Sequence, residues 1–168
     1  ELATLDARER RMQRLLAPLK DRFDIIFIDC PPSLGLLTVN ALTAADAVLV
    51  PLQCEYYALE GSTQLLATID LVRDHLNPAL ALDGVVLTMF DGRTRLSADV
   101  EAETRRHLGP AVYDTVIPRS VRLSEAPSHG RPITSYAPAS RGADAYVALA
   151  REFTRRNHLS TAIRAAVA

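Results

Sequence analysis

Three short runs of consecutive apolar residues constrain the fold of this chain most strongly. They lie within residues 24–29, 47–51 and 84–90 of a 168-residue sequence, and each is followed by a stretch with helical spacing of apolar residues. Strands that are buried on both faces of a parallel sheet have this uninterrupted apolar composition. The pattern therefore predicts an α/β fold with a doubly wound, mostly parallel sheet and flanking helices.

Periodicity assigns most of the remaining chain to a single domain. Residues 119–139 are proline-rich and are predicted to form a structured loop with one helical turn. The predicted parts of the domain are an amphipathic helix in residues 1–22, an α/β core in residues 23–156 and a tail in residues 157–168. Within the core we expect helices at 36–45, 59–76, 97–107 and 140–156, and a short strand at 112–117.

The chain contains one lysine among its nineteen basic residues. A phosphate-binding P-loop requires Gly-Lys-Ser/Thr, but Lys20 follows Leu19 and precedes Asp21, so these residues contain no P-loop. Cys30 and Cys54 each follow an apolar run and are predicted to be buried, reduced thiols. No apolar run approaches the roughly eighteen residues that cross a bilayer.

Charge is distributed unevenly along the sequence. Residues 21–92 carry ten acidic residues and two arginines, whereas residues 93–156 carry eleven arginines and seven acidic residues. Arginine suits phosphate recognition because its planar guanidinium stays charged and donates two hydrogen bonds at once. The cationic half is a candidate phosphate-binding surface, and an ordinary solvated surface rich in arginine is the alternative.

Asp29 closes the first apolar run and is the leading candidate for metal chemistry. Its carboxylate is expected at the carboxyl edge of the sheet, where parallel α/β folds bind ligands. In phosphoryl-transfer sites a carboxylate in that position holds Mg²⁺, usually through water, although an aspartate that caps the next turn has the same sequence pattern. The following segment, Cys30–Gly35, is a stiff turn suited to a loop that responds to a γ-phosphate.

Five blocks of sequence resemble, in order, the ParA/Soj family of chromosome- and plasmid-partitioning ATPases. This family belongs to the deviant Walker A group of P-loop NTPases, which also contains MinD and the nitrogenase iron protein. The resemblance extends over about residues 23–153, and its second and fourth blocks favour the chromosomal Soj branch over MinD. The blocks are Ile25–Leu42, Pro51–Gly61, Leu87–Thr94, Ile117–Gly130 and Ser140–Tyr146.

The resemblance implies roles for particular residues. Asp29 would be the catalytic Walker B carboxylate that acts on the Mg²⁺ shell, and Cys30, Pro31 and Pro32 would belong to the adjoining nucleotide-responsive segment. For two of the residues expected near the adenine of ATP, Met89 and Phe90, core packing at a strand end is the alternative. The full adenine set is Met89, Phe90, Asp91 and Pro118.

In this family DNA is bound through scattered basic side chains, and the resemblance matches Arg93, Arg119 and Arg122 to that role. The charge asymmetry agrees independently, because nonspecific DNA binding depends on exposed cations that neutralise phosphates. Each arginine has an alternative role as the partner of a neighbouring acid, and Arg122 with Glu125 is the clearest such pair.

The resemblance implies that the complete protein binds Mg-ATP, forms an ATP-dependent homodimer, binds DNA nonspecifically and works with a ParB-type partner in the cytoplasm, at the nucleoid. The family's first strand and its phosphate loop with two lysines lie upstream of the matched blocks. We therefore expect this chain to be the C-terminal two-thirds of such an ATPase, inactive alone.

A truncated, non-catalytic remnant with a DNA- or partner-binding surface is one alternative. A MinD-like membrane-associated ATPase is another, although the tail Leu159–Ala168 is poor material for membrane binding.

Overall fold

The computed structural model describes residues 8–31, 35–55 and 58–159, without the side chains of residues 58–63. Helices and strands alternate along most of this range. Short 3₁₀ turns lie at Arg8–Arg10, Ala17–Leu19, Gly109–Ala111 and Ala126–His129. The longer elements are α1 (Arg11–Leu16), α2 (Leu36–Ala44), β1 (Ala47–Gln53), α3 (Ala58–His75), β2 (Ala81–Thr88), α4 (Arg95–Leu108), α5 (Val121–Glu125), α6 (Ile133–Tyr136) and α7 (Arg141–Arg156).

Strands β1 and β2 pair in parallel. The Ala81 N–H donates to the Asp46 carbonyl at 3.1 Å, and the Cys54 N–H donates to the Thr88 carbonyl at 2.9 Å. Residue numbers therefore rise together along both strands, and helix α3 supplies the crossover connection that parallel strands require. The predicted parallel sheet with flanking helices is confirmed.

A third extended segment lies beside β2 without forming a regular strand. The Tyr113 N–H donates to the Val85 carbonyl and the Ile117 N–H donates to the Leu87 carbonyl, both at 2.8 Å. Four positions along this segment thus face two positions along β2, so two extra residues interrupt the ladder. The strand predicted over residues 112–117 is consequently reduced to isolated parallel bridges, one at each end of the segment.

The Glu152 carboxylate of α7 accepts hydrogen bonds from the backbone N–H groups that this interruption leaves unpaired with β2. Its side chain is buried, and its two carboxylate oxygens accept hydrogen bonds of 2.8 Å from the N–H groups of Asp114 and Thr115. Arg156 pairs with the same carboxylate at 2.9 Å. Burial raises the pKa of Glu152, but the hydrogen bonds from Thr115 and Asp114 and the charge of Arg156 outweigh it and hold the pKa below its usual value.

The strand predicted over residues 24–29 is wrong. No strand of the described chain includes these residues, and Phe27 is 72% exposed, while Ile25 and Ile26 are each 37% exposed. A strand forms when its backbone pairs with a neighbouring strand, and apolar composition does not supply that pairing. Here β1 and β2 pair with each other and form a two-stranded sheet.

The two cysteines differ in environment, so the prediction that both are buried is half right. Cys54 is buried, and that burial, with a smaller effect of the Glu101 charge, raises the pKa of its thiol to about 11. Cys30 is exposed because it ends the segment that forms no strand.

Local geometry also corrects two predicted helix boundaries. In place of one amphipathic helix over residues 1–22, the described part contains the short α1 with a 3₁₀ turn on each side, and residues 1–7 lie outside the described residues. The second turn contains Pro18, which has no N–H to donate. Helix α4 begins at Arg95, two residues before the predicted Ser97, because Thr94 caps it by accepting the Ser97 N–H at 3.3 Å.

Packing divides the chain into two compact units. In the first, α1 packs against α2, where the Met12 N–H donates to the buried side chain of Asn40 at 3.3 Å. In the second, a small core of Ala126, Ile133 and Ala143 lies among α5, α6 and α7. The first unit comprises Glu1–Leu49 and Leu59–Gly84, and the second comprises Val50–Ala58 and Val85–Ala168.

No helix in the described ranges is both long enough and apolar enough to span a membrane. Residues 160–168 of the predicted tail lie outside those ranges. The expectation that the tail does not bind membranes therefore stays a prediction.

The first turn of α7 lies in close contact with α5. A Cβ built on Gly142 would lie 2.9 Å from Cγ of Leu123 and 3.2 Å from both of its Cδ atoms. At such short distances a side chain at position 142 would displace Leu123, so glycine allows the closest packing of the two helices. The contact fixes the start of α7 against the helix that carries Arg122.

We expect Gly142→Ala to lower the free energy of unfolding by about 1 kcal/mol or more, because the methyl group displaces Leu123, even though alanine has the higher helix propensity. Gly92→Ala is the matched control, since a Cβ there meets the Phe90 ring at an ordinary 3.5 Å. The control should be as stable as the wild type or slightly more stable. Urea unfolding followed by circular dichroism measures both, and a Gly142→Ala variant of wild-type stability would contradict the contact.

We expect Glu152→Gln to lower the free energy of unfolding by about 1–3 kcal/mol at pH 7, because the neutral amide offers one oxygen to two backbone donors. The folded-state pKa of Glu152 is depressed, so its contribution is present above the ordinary glutamate pKa and is lost as pH falls through the folded value. The difference from wild type should therefore narrow between pH 7 and about pH 3.

Urea denaturation at both pH values measures this difference. Asp99→Asn is the control, because Asp99 is exposed and its pairing with Arg95 spans 3.7 Å, so its effect should stay within about 0.5 kcal/mol. A Glu152→Gln difference that stays constant or grows on acidification would contradict the depressed pKa.

Candidate functional site

A cleft in the second unit brings together five of the eleven residues predicted to contact ligands. It lies at the carboxyl end of β2 and has a volume of about 760 Å³. Three arginines and one acidic residue make its lining cationic. The lining residues are Phe90, Asp91, Gly92, Arg93, Pro118, Arg119, Ser120 and Arg141.

Backbone pairing beyond the end of β2 builds the cleft. Met89 adopts a left-handed conformation, with φ of 54°, which is uncommon for a residue with a side chain and turns the chain out of the strand. The Phe90 N–H then donates to the Ile117 carbonyl at 3.1 Å, and the Arg119 N–H donates to the Phe90 carbonyl at 2.9 Å. The loop after β2 and the segment after Pro118 consequently lie side by side.

The loop after β2 is held by a hydrogen-bond network centred on Ser97. The Asp91 carbonyl accepts from both the N–H and the hydroxyl of Thr94 at 3.0 Å, and the Asp91 N–H donates to the Ser97 hydroxyl at 3.3 Å. Ser97 is buried, and its hydroxyl donates to the Cys54 carbonyl at 3.4 Å. Ser97, in the first turn of α4, therefore fixes the loop that carries Arg93.

Asp91 and Arg93 form a two-pronged ion pair at the rim of the cleft. Nε and Nη2 of Arg93 donate to the two carboxylate oxygens at 2.9 and 2.7 Å, and the Arg93 N–H donates to the same carboxylate at 3.1 Å. These side-chain and backbone hydrogen bonds lower the pKa of Asp91 to about 2, with a smaller effect of the Arg119 charge. Asp91 is thus ionised at neutral pH, and Arg93, whose side chain is 88% exposed, faces solvent.

The other two predicted DNA-contacting arginines are also paired with acids. Arg119 donates to Glu55 at 2.9 Å, and both side chains are about half exposed. Arg122, which does not line the cleft, donates to Glu125 at 3.1 Å, so the pairing that the sequence left as an alternative is present. Tyr136 donates to the same carboxylate at 3.1 Å. Hydrogen bonding with Tyr136, and next with Glu125, raises the pKa of Arg122.

Sequence reasoning missed three residues of the cleft, namely Gly92, Ser120 and Arg141. Arg141 carried a signal, because it is one of the arginines of the cationic half and lies in the fifth matched block. It is exposed at the first position of α7, and no carboxylate in the described ranges forms an ion pair with it. Met89 adjoins the cleft in sequence but does not line it.

The predicted metal-binding segment belongs to the first unit. Asp29 is exposed, and none of the ion pairs among the described residues involves its carboxylate. The Cys30 thiol donates to the Ile28 carbonyl at 3.8 Å, and partial burial, followed by the Asp29 charge, raises the pKa of this thiol. Pro31 follows directly, and Pro32 lies outside the described residues. Across the described ranges, no cluster of three or more His, Cys, Asp or Glu side chains is arranged to hold a metal ion.

Comparisons with known sequences find relatives that match most of this chain. A family model described as an AAA domain matches residues 1–82. The sporulation initiation inhibitor protein Soj of Bacillus subtilis is 58% identical over 152 residues, which are 90% of this chain and 60% of that protein. The chromosome partitioning protein ParA of Myxococcus xanthus is 54% identical over 157 residues, which are 94% of this chain and 56% of that protein. The chain therefore spans about three fifths of the length of these relatives.

Solved structures agree on the fold. A cobyrinic acid a,c-diamide synthase from Mycobacterium smegmatis, with bound ADP and magnesium, has a TM-score of 0.76 and 39% identity, over 94% of this chain and 57% of that one. The cell division ATPase MinD of Pyrococcus furiosus has a TM-score of 0.68 and 28% identity, over 88% of this chain and 58% of that one. With a P-loop NTPase-like fold and more than half of its residues identical to those two relatives, this chain is a partial-length homologue of the Soj and ParA proteins.

Proposed function

We propose that this chain is part of an ATPase that binds Mg-ATP, dimerises with ATP bound, and binds DNA without sequence preference. With a ParB-type partner, the complete protein partitions a chromosome or plasmid in the cytoplasm, at the nucleoid. The observation that carries the proposal is the arginine-lined cleft at the end of β2. Nonspecific DNA binding requires exposed cations near one another rather than groups that read base edges, and the cleft supplies such cations.

The ion pairs of these arginines are compatible with DNA binding. Arg93, Arg119 and Arg122 are all more than half exposed, and exposed ion pairs contribute little to stability because solvent screens them. A DNA phosphate that replaces the carboxylate accepts the same guanidinium hydrogen bonds, which are two-pronged at Arg93. The exchange therefore costs little, and release of counterions from the DNA favours it.

Asp29 is the residue that we assign to Mg²⁺, through water. Its exposed carboxylate is free of ion pairs with described residues, and Mg²⁺ prefers one or two carboxylates together with waters and substrate phosphates. The donor present therefore fits this ion, which when bound neutralises charge on the phosphate oxygens. The related Mycobacterium smegmatis structure contains ADP and magnesium, which supports ATP and Mg²⁺ as the cofactors of the complete protein.

The remaining nucleotide contacts are assigned to the two predicted segments. Cys30, Pro31 and Pro32 follow the metal-binding carboxylate, and the adenine side comprises Met89, Phe90, Asp91 and Pro118. Asp91 would act through its backbone, because Arg93 occupies its carboxylate.

A non-catalytic role for the 168-residue chain by itself is the second candidate. Its single lysine, Lys20, forms an ion pair with Asp46 at 2.7 Å and is not part of a P-loop, so no lysine is available for the ATP phosphates. We infer that the chain alone hydrolyses no ATP. Hydrolysis above background by the purified chain would exclude this second candidate.

Mutation of Asp29 tests the Mg-ATP assignment. The chain is fused to the part of Bacillus subtilis Soj that it does not match, which gives a protein of the relatives' length. Titration calorimetry should show Mg²⁺-dependent ATP binding, and Asp29→Asn should lower the affinity about tenfold or more because the ion loses a ligand of its water shell. Asp24→Asn, in the same segment, is the control. An Asp29→Asn variant with wild-type affinity and Mg²⁺ dependence would contradict the assignment of Asp29 to Mg²⁺.

Arginine substitutions test DNA binding by the ATP-bound Soj fusion. Fluorescence anisotropy with a labelled random-sequence duplex, repeated at several salt concentrations, should show an affinity that falls steeply with salt. Arg93→Ala and Arg122→Ala should each reduce the log–log salt slope by about 0.9, because one phosphate contact is lost. Arg106→Ala removes an exposed, ion-paired arginine of α4 outside the cleft and should leave the slope unchanged. Salt-independent binding would contradict the proposal.

A further inference from the structure

Arg141 differs from the other arginines of the cleft in its electrostatic surroundings. Asp91 holds Arg93 at 2.7 Å, and Glu55 holds Arg119 at 2.9 Å. No described carboxylate lies within ion-pair distance of Arg141, including Asp144 one turn further along α7. The excess positive charge of the cleft therefore comes from Arg141.

The backbone that carries Arg141 is firmly placed. Ser140 caps α7 by accepting the Ala143 N–H at 3.2 Å, and Ala143 is buried. Gly142 approaches Leu123 so closely that no side chain fits between them. A cation on a rigid element holds a ligand more accurately than one on a loop, because its supporting backbone does not have to be ordered on binding.

We propose that Arg141 is the first contact for a phosphate group entering this cleft. The proposal rests on the proposed function and adds to it a binding residue that the family resemblance did not assign. The guanidinium offers two parallel N–H donors to a phosphate oxyanion, whether the phosphate belongs to a DNA backbone or to a bound nucleotide.

The free-energy cost of binding a phosphate differs among the arginines, because the phosphate displaces a different partner at each one. A phosphate that binds Arg93 must displace the two-pronged contact with Asp91, and one that binds Arg119 must displace Glu55. At Arg141 it displaces water. Removal of Arg141 should therefore weaken phosphate binding more than removal of Arg93, although each substitution deletes one positive charge.

Anisotropy titration of the 168-residue chain with a short labelled duplex tests this order. Arg141→Ala should lower the affinity roughly five- to tenfold at moderate salt and reduce the log–log salt slope by about 0.9. Arg141→Lys should keep the slope, because the charge remains, while losing the two-pronged geometry and part of the affinity. Arg151→Ala is the matched control, since Arg151 is exposed on the same helix, has no ion-pair partner in the described ranges and does not line the cleft.

A second titration identifies the source of the phosphate. The same variants are made in the Soj fusion and titrated with a fluorescent ATP analogue and Mg²⁺. Loss confined to the duplex titration assigns Arg141 to the DNA backbone, and loss confined to the ATP titration assigns it to the nucleotide. Thermal melts followed by circular dichroism establish that the variants are folded.

Several results would overturn the proposal. They are wild-type behaviour of Arg141→Ala in both titrations, an effect smaller than that of Arg93→Ala, or an equal loss in Arg151→Ala. If the wild-type chain has no affinity for DNA, the duplex titration is repeated with the ATP-bound Soj fusion. A fusion without affinity for DNA would refute the DNA-binding part of the proposed function, and the ATP titration alone would then decide the role of Arg141.

Discussion

Two backbone hydrogen bonds beyond the end of β2 create the site on which the functional interpretation rests. The Phe90 N–H donates to the Ile117 carbonyl, and the Arg119 N–H donates to the Phe90 carbonyl. They hold side by side two loops that are more than twenty residues apart in sequence. One loop carries Arg93 and the other carries Arg119, so a cationic cleft exists because the two backbones pair.

That pairing has a structural cost, which α7 offsets. The segment after α4 is two residues longer than a regular ladder against β2 allows, and the amides of Asp114 and Thr115 need acceptors elsewhere. Glu152 provides both acceptors from the C-terminal half of α7. At the other end of the same helix, the Gly142 contact with α5 fixes the first turn and thereby the position of Arg141 at the cleft. Helix α7 therefore does two things: Glu152 accepts the backbone N–H groups that do not pair with β2, and Gly142 fixes the helix start that carries Arg141.

Much of the fold was predictable from the sequence, because β1, β2 and the long helices follow from local composition and periodicity. The absence of a strand at residues 24–29 was not predictable. Apolar composition indicates a preference for burial but does not specify a backbone partner, and Phe27 is in fact exposed. The pairs of Arg93 with Asp91 and of Arg122 with Glu125 join near neighbours in sequence and were within reach of sequence reasoning. The pair of Arg119 with Glu55 joins residues 64 positions apart, and it depends on the fold. Arg141 was missed for the same reason, because an arginine at a helix start acquires a binding role only when the fold places it at a cleft.

The proposed phosphate-binding surface is therefore built from three separate segments. Amide hydrogen exchange of the 168-residue chain, with and without duplex DNA and read by mass spectrometry, tests this directly. We predict that saturating DNA slows exchange together in residues 90–94, 119–122 and 141–144, and that α3 is unaffected. Slowed exchange confined to other segments, or unchanged exchange in these three while DNA is bound, would contradict a DNA-binding cleft at the end of β2.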